Sequence, residues 1–144
     1  MADLVYITMT FHNIVKENLF SENNNFDFGK IIPEPKTKVE YLASGGERYK
    51  KPEDDCIMID KSRPWFNWYD WHFDHWDTKW NAMDTEIIDD NTIKFYTAYS
   101  FPNSVIQKLS TMYPDIKITC TVEYECGPSQ YLVYHNGNRS SYWL

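Results

Sequence analysis

Glycine, positive charge and paired cysteines are all scarce in this chain, and each shortage removes a class of protein. Five glycines in 144 residues exclude a collagenous or loop-rich low-complexity chain. Lys and Arg total 14 against 21 Asp and Glu, giving a net charge of −7, and they form no block that could track a phosphate backbone. Direct nucleic-acid binding is therefore disfavoured. Cys56, Cys120 and Cys126 are odd in number and include no C-x-x-C pair, so neither a disulfide framework nor a zinc site is indicated, and a reducing compartment is expected. No run approaches 18 consecutive apolar residues, and the opening MADLVYITMTF lacks a basic segment followed by a long apolar one. The expectation is a cytoplasmic protein with no membrane association. Nor does the chain carry a nucleophile motif, phosphate loop or metal signature, so no enzyme activity and no cofactor are expected.

Aromatic residues are abundant instead, at 17%, and five of the six tryptophans lie between Trp65 and Trp80, in WFNWYDWHFDHWDTKW. On a helical wheel Asn67, Asp70, Asp74 and Asp77 share one stripe, while Trp65, Tyr69, His72 and Trp76 centre on the opposite side with Trp68 and Phe73 beside them. This predicts a two-faced helix around which a single domain, residues 1–144, is organised. Trp71 and His75 fall on the shoulder between the faces.

Period-two alternation marks a first strand over Leu4 to Phe11, apolar on parts of both faces and hence central. A weak helical pattern from His12 to Phe20 breaks at Ser21 and the asparagine run. An irregular excursion spans about 21–63. It begins with FDFGKIIPEP, whose prolines Pro33 and Pro35 predict an apolar strap, and it includes a short strand at Cys56 to Ile59. After the tryptophan helix, Lys79 to Ile88 reads as extended. Asp89-Asp90-Asn91 is a turn, and TIKFYTAYS is the returning strand. Val105, Ile106, Leu109, Met112 and Tyr113 keep helical spacing between Pro102 and Pro114. Ile116 to Tyr124 alternates as a half-buried strand, and Tyr131 to Tyr134 returns as a short edge strand that Asn136-Gly137 can turn back. Two right-handed crossovers then place both helices on one face of an antiparallel sheet in order 4-1-3-2. The expected fold is an α+β, ferredoxin-like βαββαβ sandwich with a C-terminal strand or hairpin.

Three segments, FDFGKIIPEP, WYDWHFDHWDTKWN and TAYSFPNSVIQKLSTMYPD, resemble in this order the YubB-type ferredoxin-like domains of phages, plasmids and other mobile elements. The chain departs from that pattern at Asp77, where the family more often has Gly, and at His72, where it often has Cys. The resemblance implies the fold and a mobile-element origin in a bacterial host; it implies no catalytic residues.

His72 and His75 stand three apart near Asp70 and Asp74, but His72 points about 140° and His75 about 80° from the centre of the acidic stripe, which disfavours a shared metal. Trp65 and Trp76 read as core, and Trp68, Trp71 and Trp76 as a stacking platform only if exposed. Cys126 lacks a base to activate it. The remaining pattern is an aromatic edge set among carboxylates, suited to a protein partner with a basic surface. The expected contact residues are Asp70, Trp71, Asp74, His75 and Asp77, joined by Asp54, Asp55, Asp89 and Asp90. The functional expectation is a protein-binding inhibitor of a host defence nuclease, such as a CRISPR effector, acting by acidic nucleic-acid mimicry. The alternative is a single-stranded nucleic-acid module using Tyr6, Tyr96 or Tyr99 on an open sheet face.

Overall fold

In the computed structural model, residues 3–12, 19–22, 24–35, 68–125 and 127–143 are described. Six strands form one sheet: β1 Leu4–Phe11, β2 Met83–Ile87, β3 Thr92–Ala98, β4 Ile118–Tyr124, β5 Gln130–His135 and β6 Asn138–Trp143. Two helices accompany them, α1 Trp68–Trp76 and α2 Asn103–Met112. The spatial order is β2-β3-β1-β4-β5-β6, every neighbouring pair antiparallel.

β1 is central, as its two partly apolar faces imply, with Ile7 opposite Phe95 of β3 and Val122 of β4. Its odd-numbered residues Val5, Ile7, Met9 and Phe11 are buried, because that face meets the helices. Trp71 and Trp76 of α1 and Val105, Ile106 and Leu109 of α2 close the same core. Each such side chain taken wholly out of water stabilises the fold by about 1.5–3 kcal/mol before cavity and strain effects. Tyr6, Thr8 and Thr10 point to the other face and are only half-buried.

The strap behaves as its prolines suggest. Phe26, Phe28 and Ile31 are buried, and the ring of Phe28 meets Trp76 at 5.6 Å and Phe95 at 6.1 Å. A short 3₁₀ turn at Phe28–Lys30 is capped by Asp27, whose Oδ1 accepts from Gly29 N at 2.9 Å. The same oxygen accepts from Asn81 Nδ2 at 2.8 Å, while Asn81 Oδ1 accepts from Phe28 N at 2.8 Å, so strap and sheet are laced together.

The expected four-strand core is present, but the sheet is larger than a βαββαβ unit with a short addition. Residues 130–143 form two full strands that extend the β4 edge, because Asn136 and Gly137 both adopt positive φ, 48° and 79°, the backbone of a tight two-residue hairpin. Of the helical pattern expected from His12 to Phe20, residues 13–18 lie outside the described residues, while Phe20 forms an antiparallel bridge with Phe26; the strand expected at Cys56 to Ile59 also lies outside them.

Candidate functional site

The α1 rim differs from the helical-wheel reading. Trp71, expected as an exposed aromatic anchor, is fully buried. The wheel placed the buried sector opposite the aspartates, whereas the core side of α1 extends about 100° further, from Trp76 and His72 round to Trp71. Each imidazole lies flat on an indole one turn away: His75 on Trp71 at 4.4 Å and 13°, His72 on Trp76 at 4.3 Å and 16°. His72 is buried, its Nδ1 2.6 Å from the Lys79 carbonyl oxygen and its Nε2 3.4 Å from Glu34 Oε1. Among the described residues Trp71 Nε1 has no hydrogen-bond partner, and no group of three His, Cys, Asp or Glu side chains could hold a metal ion.

The expected contact carboxylates separate. Asp74 is exposed on α1 and Asp70 belongs to the same helix, while Asp54 and Asp55 lie outside the described residues. Asp77 is committed to structure. It ends α1 in the left-handed region at φ 62°, the conformation that Gly adopts most freely. Its carboxylate then reaches α2, which starts at Pro102 with no side-chain cap of its own, and Oδ2 accepts from Ser104 N at 2.7 Å.

Asp89 and Asp90 are brought together with something the sequence reading missed. They sit at the β2–β3 turn, where Ile88 N and Asp89 N both donate to the Thr92 carbonyl, at 2.9 and 3.3 Å. Beside them Ile87 and Ile88 are 53% and 49% exposed. Asp84 and Glu86 are exposed on the same strand, so residues 83–91 hold four carboxylates and no cation around two solvent-facing isoleucines. A cavity of about 220 Å³ adjoins this end, lined among the described residues by Phe11, Leu19, Phe20, Ile87, Ile93 and Asn91, with Asp89 and Asp90. Among the described residues Asn91 Oδ1 has no hydrogen-bond partner. The signal was available: adjacent residues of a strand point to opposite faces, so Ile87 and Ile88 cannot both enter one core.

A wider, open cleft of about 700 Å³ lies across the strap, lined by Asp27, Gly29, Lys30, Pro33, Glu34, Trp76 and Asn81. Its polar atoms are largely engaged in holding the strap. Within the same core, on β4 and β5, burial pushes the Cys120 thiol and the Tyr134 phenol far above their usual ranges, with Cys120 reinforcing the Tyr134 shift and Arg139 opposing it. Cys120 is thereby an inert core residue.

Residues 75–142 match the family described as a ferredoxin-like domain in Api92-like protein. The matched span runs from the end of α1 through β2, β3, α2, β4 and β5 into β6. The matched span thus takes in the C-terminal hairpin as far as Tyr142, while β1 and the strap precede it. No curated protein and no solved structure matches the chain. Among the described residues no helix is long and apolar enough to cross a membrane.

Proposed function

We propose that this ferredoxin-like domain works by binding another protein through the acidic end of its sheet. The observation that carries the reading is the exposure of Ile87 and Ile88 inside a frame formed by Asp84, Glu86, Asp89 and Asp90. Apolar anchors supply contact energy, and a rim of four carboxylates against one neighbouring cation, Lys94 opposite Glu86, steers encounter with a basic surface and disfavours acidic ones. The cavity beside Asp89 and Asp90 suits a lysine or arginine side chain, whose aliphatic stem would cover Phe11, Phe20 and Ile93 while its cation met the carboxylates. The anchoring role first given to Trp71 thus passes to the isoleucines.

In its narrower form the proposal is an inhibitor from a phage or other mobile element that occupies the nucleic-acid channel of a host defence nuclease such as a CRISPR effector. Its support is the YubB-type resemblance together with the net charge of −7. Candidate nucleases would be mixed with the protein, with and without guide and target DNA, and cleavage and complex formation measured. Inhibition by the wild type and its loss in Asp89→Asn/Asp90→Asn support the proposal. Unchanged cleavage and no complex across the candidates remove the nuclease reading, while binding of a basic protein that does not depend on Ile87, Ile88, Asp89 or Asp90 removes the site.

A second reading rests on the open sheet face, where Tyr6 and Tyr96 meet edge-to-face at 4.9 Å and could stack bases. Lys94 lies on that face, but Glu86 is opposite it in register and Glu123 is opposite Tyr6. Tyr99 has left the strand at φ 71° and stands 5.4 Å from Lys79 Nζ. A salt titration with single-stranded oligonucleotides discriminates: no binding at low ionic strength eliminates this reading.

A further inference from the structure

β6 is the outer strand of the sheet, and among the described residues no element covers its free edge. Natural sheet edges are blunted by charge, proline, bulges or a covering element. β6, NRSSYW, contains one charged residue and no proline, pairs with β5 in unbroken register, and all six of its residues are exposed, Tyr142 at 56% and Trp143 at 66%. Residues 127–143 also contain no Asp or Glu, although the chain has 21, so this edge escapes the repulsion its net charge would otherwise impose.

The direction of the free backbone groups follows from the hairpin. In a two-residue loop the closing pair, His135 and Asn138, exchanges both ladder bonds. Alternation then turns Asn138, Ser140 and Tyr142 towards β5 and leaves the N–H and C=O groups of Arg139, Ser141 and Trp143 pointing outward. We infer that these three residues pair with the β6 of a second copy of this chain, antiparallel, about a two-fold axis at Ser141.

The register is selected by the side chains. With the axis at Ser141, Ser141 faces its own counterpart and Arg139 faces Trp143 of the second copy, twice by symmetry. Both lie on the helix side of the sheet, where a guanidinium can cover an indole face. Moving the axis to Arg139 sets like charges opposite each other, and moving it to Trp143 gives up most of the strand overlap. The edge is also held in place beforehand. Gly137 N donates to Ser110 Oγ at 2.5 Å and Gln107 Nε2 to the Gly137 carbonyl at 2.9 Å. Tyr134 Oη and Arg139 Nη1 both donate to Asn103 Oδ1, at 2.7 and 3.1 Å. Pinning the hairpin to α2 reduces the ordering cost of association.

Sedimentation equilibrium on the full chain, up to about 1 mM, tests the inference. The expected result is a concentration-dependent dimer that Trp143→Ala weakens about tenfold or more, with a cooperative melt retained. Ser141→Pro removes only an outward N–H, so it should abolish association while β5–β6 pairing persists. Should that variant unfold, hydrogen exchange on the wild type replaces it: the amides of Arg139, Ser141 and Trp143 should slow as concentration rises. A wild type monomeric throughout the range overturns the inference, as does a dimer indifferent to Trp143→Ala and Ser141→Pro. Neither result bears on the acidic end of the sheet, which is at the opposite edge.

Discussion

Along β2 the pairing with β3 shifts between Met83 and Glu86 and Asp84 sits at φ 51°, whereas β6 follows β5 without a break from Gln130 opposite Trp143 to His135 opposite Asn138. The β2 edge is tied to the strap through Asn25, whose Nδ2 donates to the Ala82 carbonyl and whose Oδ1 accepts from Thr85 N and Oγ1. The β6 hairpin is tied to α2 through Gly137. One edge is bent and acidic, which prevents backbone pairing and favours contact through side chains. The other is unbroken in register and free of carboxylates, which leaves its backbone available for the proposed pairing. Two edges of one sheet can thus serve different chemistry, because edge protection is written locally, in a few residues of each strand.

The contrast can be broken most severely at Gly137. At φ 79° an added Cβ would stand 2.8 Å from Thr111 Cγ2, so Gly137→Val combines a disfavoured backbone conformation with a clash. The expected loss is about 3 kcal/mol in a denaturant titration, together with loss of β6 pairing in hydrogen exchange. At the other edge Asn25→Ala should cost about 2 kcal/mol, since Ala82 and Thr85 lose their partners. A double-mutant cycle with Thr85→Val should be markedly non-additive, whereas Asn25→Ala and Trp143→Ala should add.

Alkali should separate the edges more gently. Burial raises the Tyr134 and Tyr124 phenols above their usual value of 10.0. A phenol whose folded pKa is raised lends stability that is fully present below its unfolded value and drains away as pH climbs towards the folded one. Unfolding midpoints should therefore fall above pH 10, and Tyr134→Phe should flatten that fall while Asn25→Ala leaves its slope unchanged. The smallest effect is expected away from both edges: Asp77→Ala should cost about 1 kcal/mol through loss of the α2 cap, with partner binding and self-association unaltered. Asp77→Gly should recover part of that loss, because Gly accepts φ 62° more readily.

Strands β1, β3 and β4 were legible because alternation is strict there and one face is buried, as Val5, Ile7, Met9 and Phe11 illustrate. The full length of β5 and β6 was less legible. β6 buries nothing, so NRSSYW has no hydrophobic period, and only Asn136-Gly137 announces it. The phase of α1 was misread for another reason. Tryptophan and histidine alternate closely along WYDWHFDHW, so several buried sectors satisfy the same wheel. The i, i+4 stacking of Trp71 with His75 and His72 with Trp76 is a tertiary outcome that no period encodes. Asp77 read as surface charge because its partner, Ser104, lies 27 residues away in sequence.

The strand order carries a geometric consequence for valency. From β2 to β6 there are five inter-strand steps of about 4.8 Å, so the acidic edge stands about 24 Å from the neutral one, measured along the sheet. Joining two copies at β6 adds one more step and leaves acidic edges at both outer ends, about 53 Å apart before twist is counted. Such an assembly would engage two basic sites at once, and a partner offering them at that spacing would gain avidity from effective concentration with no new contact at either edge.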